Sequence, residues 1–170
     1  TLAAAYSVAG GTTLYKYSGN SWTQVIVPQT QYNEIYYMWY DEYTGRLYLD
    51  FIGANWENNL FYTYDLQVWT PIPSYPVYDI NQMKRLNDII WIASPEGLLK
   101  YDGTTFTHYN TTNSGLPHNN VRALDFDSFG NIWAATQGGL VKYNGINWTV
   151  YDRYNSPLSC DNLTGVVIDS

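Results

Sequence analysis

The feature that most constrains the fold is a phrase that the chain repeats. The segments 91-WIASPEGLLKYDGTTFTHYN-110 and 130-GNIWAATQGGLVKYNGINWTVYD-152 share one pattern at an offset of 42 residues, without a gap. The segment 14-LYKYSGNSWT-23 matches 140-LVKYNGINWT-149 at three times that offset, and a looser copy starts at residue 45. Self-similarity at this period is typical of folds whose units stack on one another.

Each unit divides into four short apolar-rich runs separated by turn residues. In the last full copy these runs are 121–127, 131–136, 139–144 and 147–152. The connections at 128–130 and 143–145 predict tight hairpins, because Asn and Gly tolerate the backbone of such turns. Four antiparallel strands in a unit of about 42 residues predict an all-β fold, a β-propeller of four four-stranded blades.

The ends of the repeat pattern predict how the propeller is divided. We expect one propeller region over residues 1–170, with repeats at approximately 1–44, 45–86, 87–129 and 130–170. When the strands of each repeat are numbered from one to four, the chain begins with a second strand, 2–9, and ends with a first strand alone, 163–169. That last strand is expected to pair into the first blade. Two arrangements fit equally, a ring closed by four blades and a section of a larger propeller.

The composition supports an all-β protein and excludes some partners. Aromatic residues make up 18% of the chain and charged residues 14%, and Tyr and Trp favour half-buried strands. The formal net charge is −7 and only eight residues are basic. Because binding to a phosphate backbone requires clustered Lys and Arg, we do not predict a nucleic-acid partner. No apolar run reaches the roughly 20 residues of a membrane span. The chain opens with Thr1 and shows no signal peptide, so we expect a mature or excised piece. Its low charge and its richness in Tyr, Asn, Thr and Gly favour an extracytoplasmic protein.

The repeated aromatic residues have a structural interpretation. Trp91 and Trp133 fall on predicted second strands, and the residues on predicted fourth strands are Trp22, Trp69, Phe106 and Trp148. Rings at fixed phases fill the space between neighbouring blades, because one blade cannot bury its own face. We therefore predict packing between blades for these rings rather than a sugar-binding stripe.

Three phrases carry a resemblance to a known family. They are 97-GLLKYDGTTFTHYN-110, 115-GLPHNNVRALDFDSFGNIWAAT-136 and 138-GGLVKYNGINWTVYD-152. This pattern resembles the two-component regulator propeller repeat, strongly over 87–170 and partially over 1–30. The resemblance implies a bacterial extracytoplasmic propeller of the kind found in sensor regions and in secreted or surface-attached proteins.

No catalytic or metal-binding constellation is recognisable in the sequence. The two histidines, His108 and His118, have no partner set with zinc spacing, and no nucleophile elbow occurs. We expect no enzyme activity, no metal and no cofactor. The repeated Asp127 and Asp169 are expected to cap their own turns. Cys160 is the only cysteine, so an internal disulfide is excluded, and an incidental role in a loop is expected.

A propeller usually binds ligands at the mouth of its channel, where the loops before first strands and between second and third strands meet. The insert 54-ANWENN-59 breaks the repeat and places a Trp among polar residues. The predicted ligand-binding residues are Asn33, Trp56, Glu57, Glu96, His118, Asn119, Arg122 and Gln137.

Two functions follow from these observations. The first is a non-enzymatic, extracytoplasmic binding or sensor-type module that recognises a glycan fragment or a protein partner. The alternative is a structural surface protein, an adhesin or assembly subunit, in which the terminal strand completes a neighbour's blade.

Overall fold

The structure is a computed structural model that describes residues 13–18, 20–27, 34–52, 58–77 and 79–169. These residues form strands and loops in two compact units, Thr1–Tyr75 and Pro76–Ser170. In the described part of the chain, no helix is long and apolar enough to cross a membrane.

The first unit contains two antiparallel sheets. The first sheet pairs β1 (Leu14–Ser18) with β2 (Ser21–Val25). The second sheet has four strands in chain order: β3 (Glu34–Asp41), β4 (Arg46–Ile52), β5 (Asn58–Thr63) and β6 (Thr70–Pro71).

The second unit contains two four-stranded antiparallel sheets, again in chain order. The third sheet is built from β7 (Gln82–Leu86), β8 (Ile89–Ser94), β9 (Gly97–Tyr101) and β10 (Phe106–Tyr109). The fourth sheet is built from β11 (Val121–Phe126), β12 (Ile132–Thr136), β13 (Gly139–Tyr143) and β14 (Trp148–Tyr151). The four strands predicted for the last full copy are therefore confirmed.

The hairpins of the fourth sheet form for the reasons that the sequence suggests. Between β11 and β12, Gly130 adopts φ 78° and its N–H donates to the Asp127 carbonyl at 2.9 Å. Between β13 and β14, Gly145 adopts φ 91°, and the Asn144 Oδ1 accepts the N–H groups of Ile146 and Asn147. A glycine supplies the positive φ in each turn, and the turn bonds come from the Asp127 carbonyl in the first and from the Asn144 side-chain amide in the second.

The core of the second unit lies between its two sheets. Trp91 is 5% exposed and Leu98 is fully buried, and both belong to one cluster with Tyr143, on the fourth sheet. Trp148 packs against this cluster from β14. Packing between blades, predicted for the repeated aromatic rings, is confirmed for Trp91 and Trp148.

The first unit has its own core and an aromatic ladder. Leu14 and Val25 of the first sheet join buried residues of β4, among them Leu49, in one cluster. On the ladder, ring centroids of Trp39 and Tyr48 lie 5.3 Å apart. The ladder continues through Tyr62 and Tyr64, and the Arg46 guanidinium carbon lies 4.5 Å from the Tyr62 ring centroid. Cross-strand aromatic pairs of this kind fix the register of a sheet.

Neither of the two strands predicted at the ends of the chain belongs to one of the four described sheets. Residues 2–9 lie outside the described residues, so the pairing of 163–169 into the first blade stays a prediction. Residues 163–169 themselves form no ladder in the described part of the chain. Backbone pairing is what defines a strand, and this segment is held by isolated bonds instead.

Candidate functional site

A row of polar side chains connects the first strands of the second unit. The Asn81 amide donates to the Val121 carbonyl at 2.7 Å, and the Gln82 Oε1 accepts the Leu124 N–H at 2.7 Å. Further along, the Lys84 ammonium lies 2.7 Å from the Asp125 carboxylate. The side chains of Asn81, just before β7, and Gln82, its first residue, therefore satisfy backbone groups of β11, which has sheet partners on only one side.

Asp125 extends this row to the C-terminal segment. Its Oδ2 accepts the Ile168 N–H at 2.9 Å while its Oδ1 binds Lys84. Burial opposes ionisation of this carboxyl, but the hydrogen bonds from Lys84, Ile168 and Phe126 outweigh burial and lower its pKa. Residues 163–169 thus lie beside β11, and Asp125 ties together three successive copies of the repeat.

One end of the fourth sheet gathers the connecting loops. The Gln137 N–H donates to the Asn120 carbonyl at 3.1 Å, and the Leu163 N–H donates to the Thr136 carbonyl at 3.0 Å. We name this end, formed by residues 110–120, 136–139 and 152–163, the loop edge. Backbone hydrogen bonds hold these connections against one another at this end of the sheet.

The structure brings four of the predicted ligand-binding residues to this region. His118 and Gln137 are exposed at the loop edge, and a Cβ on Gly138 would lie 3.2 Å from the His118 Cβ. Arg122, at the start of β11, donates to the Leu163 carbonyl at 3.4 Å. Asn119 uses its Oδ1 to accept the Thr111 N–H at 2.8 Å, so part of its side chain holds the loop together.

Glu96 lies in the β8–β9 turn of the third sheet. Its N–H donates to the Ser94 Oγ at 3.2 Å, and its carbonyl oxygen lies 3.0 Å from the His108 Nε2. His108 is on β10, the outer strand, as predicted. The remaining predicted ligand-binding residues, Asn33, Trp56 and Glu57, lie outside the described residues and stay predictions.

Sequence reasoning missed a cluster at the loop edge. Arg153 and Tyr154 follow β14, and the Arg153 guanidinium carbon lies 4.7 Å from the Tyr154 ring centroid. The Asp161 carboxylate accepts the Arg153 N–H at 2.7 Å and lies 3.4 Å from the Arg153 Nε. Tyr154 is 80% exposed. A departure from the repeat could have indicated this cluster, because the third-sheet copy has Thr111 and Thr112 at the positions of Arg153 and Tyr154.

Asp127 has the structural role predicted for it. Its Oδ1 accepts the N–H groups of Phe129 and Asn131, and its Oδ2 accepts the Trp133 indole N–H at 3.0 Å. Desolvation opposes ionisation, but these hydrogen bonds outweigh it and lower the pKa of Asp127 to about 2. Among the described residues, no group of three or more His, Cys, Asp or Glu side chains is arranged to hold a metal ion.

Residues 115–138, which run from the loop edge through β11 and β12, match the family model named two component regulator propeller. This segment of the chain is similar to a two-component regulator propeller repeat. The predicted resemblance is thereby confirmed over these residues. No curated protein sequence matches the chain.

Solved structures similar to this chain include extracellular domains of bacterial proteins. The chain is similar to the extracellular domain of BT3049 from B. thetaiotaomicron, assigned as a hybrid two component system, with 22% identity, a TM-score of 0.65, and coverage of 89% of this chain and 21% of that one. It is also similar to the extracellular domain of BT4673 from the same organism, with 21% identity and a TM-score of 0.66. That match covers 88% of this chain and 21% of the BT4673 chain. PorZ of Porphyromonas gingivalis, a bacterial surface component of the type-IX secretion system, matches at 15% identity and a TM-score of 0.51, covering 85% of this chain and 23% of that one.

These similarities confirm the all-β propeller fold. The chain spans about a fifth of the length of the first two structures. At such identities the likeness extends to the fold, and function must be argued from the site.

Proposed function

We propose that the chain is a non-enzymatic, extracytoplasmic binding module of sensor type whose loop edge recognises a glycan fragment. The observation that carries this proposal is the exposed Tyr154 ring, held by Arg153 and Asp161 at the end of the sheet where His118 and Gln137 are also exposed. An aromatic face covers the C–H groups of a sugar ring, and amide, imidazole and carboxylate groups at the same end of the sheet are suited to bind its hydroxyls.

The surroundings of the histidines support a binding role over catalysis. The His118 Nδ1 accepts the Asn120 N–H at 3.0 Å, and the His108 Nε2 faces the Glu96 carbonyl. Each imidazole therefore bonds to the backbone of a turn, its own for His118 and the β8–β9 turn for His108, rather than activating a nucleophile. The extracellular propellers that share the fold support an extracytoplasmic location.

The proposal is tested with the whole chain and a panel of soluble oligosaccharides. A ligand that binds the folded state raises Tm with its concentration, and calorimetry then gives the affinity. We expect Tyr154→Ala to abolish the shift. Phe129→Ala is the matched control, because Phe129 is an exposed ring in the β11–β12 hairpin at the opposite end of the sheet.

A panel that produces no Tm shift, or binding that survives Tyr154→Ala unchanged, contradicts the glycan proposal at this edge. Binding that is lost in Trp56→Ala but not in Tyr154→Ala would instead place the site at the 54–59 insert. A protein partner, the other ligand class predicted from the sequence, remains the hypothesis to test if sugars fail.

A further inference from the structure

The β5–β6 turn of the first unit has a backbone conformation that its sequence does not favour. Leu66 adopts φ 65°, although a bulky side chain seldom occupies the left-handed region. The Thr63 Oγ1 holds the turn by accepting the Leu66 N–H at 3.0 Å. The Asp65 Oδ1 accepts the N–H groups of Gln67 and Val68 at 2.8 and 2.9 Å. Backbone strain that is fixed in this way is found at binding sites, where it holds a side chain in position.

The strained turn places an exposed carboxylate beside a buried leucine. Leu66 is 8% exposed and belongs to the core of the first unit, whereas Asp65 is exposed. The turn uses only the Oδ1 of Asp65, so the Oδ2 can accept a hydrogen bond from a ligand. Hydrogen bonds from the N–H groups of Val68 and Gln67 lower the pKa of Asp65, so this carboxyl stays ionised well below neutral pH.

Asp65 lines a cleft between the two sheets of the first unit. The cleft consists of two adjoining cavities of about 280 and 450 Å³, which share Lys16, Asp65 and Leu66 in their walls. Lys16, on β1, is exposed and takes part in no hydrogen bond or ion pair among the described residues. Lys16 and Asp65 are the charged residues in the described walls, and they do not pair with each other. We name these two cavities the charged cleft.

The smaller cavity of the charged cleft also has an aromatic wall. Tyr40, on β3, is 48% exposed, and Tyr64, just after β5, is 59% exposed. The Tyr64 hydroxyl accepts a hydrogen bond from the Arg46 Nε at 2.5 Å, and its ring lies edge-on to Tyr62 at 5.8 Å. Leu47, which is 3% exposed, lines the same cavity. A fixed, half-exposed ring near an apolar floor provides a surface for an apolar or aromatic group.

We propose that the charged cleft binds a free α-amino acid with an aromatic or large apolar side chain. The Asp65 carboxylate pairs with the ammonium of the ligand, and the Lys16 ammonium pairs with its carboxylate. The rings of Tyr40 and Tyr64 contact the ligand side chain.

The two charges of the cleft favour a zwitterion over other small ligands. A neutral sugar would supply a counter-charge to neither Lys16 nor Asp65, and a simple anion would bring a like charge towards Asp65. This site goes beyond the proposed glycan function, because the loop edge belongs to the second unit and the charged cleft to the first.

The test is calorimetric titration of the whole 170-residue chain with L-phenylalanine. Lys16→Gln removes the ammonium, and Asp65→Asn removes the negative charge while keeping an Oδ1 acceptor for the turn. Each variant replaces one charge-assisted contact, so we expect each to weaken binding by about 10–100-fold.

The third sheet offers a matched control for each variant. Lys100 is opposite Thr107 on the paired strand, as Lys16 is opposite Thr23. The Asp102 Oδ1 accepts the N–H groups of Thr104 and Thr105, as the Asp65 Oδ1 does in its own turn. Neither control residue lines the charged cleft, so Lys100→Gln and Asp102→Asn should bind L-phenylalanine like the wild type.

Two analogues identify which charge meets which residue. 3-Phenylpropanoate lacks the ammonium of L-phenylalanine, so its weaker binding should respond to Lys16→Gln but not to Asp65→Asn. Phenethylamine lacks the carboxylate, so its binding should show the opposite response. Near-ultraviolet circular dichroism confirms that each variant is folded.

The proposal is overturned if L-phenylalanine and L-leucine do not bind, or if their binding survives both cleft variants unchanged. It is also overturned if D-glucose binds and loses affinity in both variants, because the cleft would then take a neutral sugar. Tyr154→Ala should leave amino-acid binding unchanged. Failure of this proposal and failure of the glycan proposal at the loop edge are therefore distinguishable.

Discussion

Gly115 offers a sharp test of the packing between the third and fourth sheets. A Cβ built on it would lie 2.3 Å from the Trp148 Cβ and 2.7 Å from the Trp148 Cγ. Those atoms are next to the β14 backbone, so a change of side-chain rotamer cannot remove the clash. Gly115→Ala must therefore push the 115–117 segment away from β14 or displace Trp148 from its stack with Tyr143.

Insertion of a carbon into a packed contact of this kind costs about 2–3 kcal/mol of unfolding free energy. Replacement of Gly by Ala also stabilises by about 0.4–1 kcal/mol, because it restricts the unfolded chain. Gly165→Ala separates these two effects. Gly165 has no neighbouring atom within 4 Å of its built Cβ, and its φ lies outside the left-handed region.

We expect Gly165→Ala to be neutral or slightly stabilising. The unfolding free energy of Gly115→Ala should be lower than that of Gly165→Ala by the steric cost. For a chain of this size, that difference corresponds to roughly 4–12 °C in Tm. Urea unfolding followed by Trp fluorescence gives the difference in free energy. Equal stability of the two variants would show that the glycine is not required by Trp148 and would refute this account of the interface.

Two further predictions concern burial and charge. Leu98→Ala should cost about 2–5 kcal/mol and Leu140→Ala only about 1 kcal/mol, because the first leucine is fully buried between sheets and the second is partly exposed; equal costs in urea unfolding would contradict the difference in burial. The pKa of Asp127 is lowered from 3.8 to about 2, so the stability it contributes is fully present above pH 3.8 and is lost as pH falls towards about 2. Unfolding free energies of the wild type and Asp127→Asn should therefore converge over that window, and a gap that stays constant would contradict the hydrogen-bonded role of this carboxylate.

The strands of the fourth sheet could be predicted from the sequence because their signals are local. Turn residues at fixed positions in a repeat of 42 residues set the hairpins, and the apolar runs between them have strand length. Each hairpin is closed by groups within a few residues of each other, such as Asp127 with Gly130. No distant part of the chain has to be known for these elements to form.

The candidate site could be predicted only in part. The repeat phase placed His118, Arg122 and Gln137 near the connections of the fourth sheet, because phase determines at which end of a strand a residue lies. It did not reveal that Asn119 ties its own loop, or that Arg153 and Asp161 hold Tyr154 in place. Those contacts join residues eight positions apart across a loop whose path the repeat does not specify.

The sequence by itself determined the repeated four-stranded unit, since strand length, turn chemistry and period are properties of neighbouring residues. Only the tertiary structure decided the environment of each copy. Trp91 and Trp133 occupy the same position in the same phrase, yet one is 5% exposed between two sheets and the other lines an open pocket. The physical reason is that burial of a sheet face depends on which surface packs against it. Two repeats of similar sequence can therefore have different neighbours and different burial.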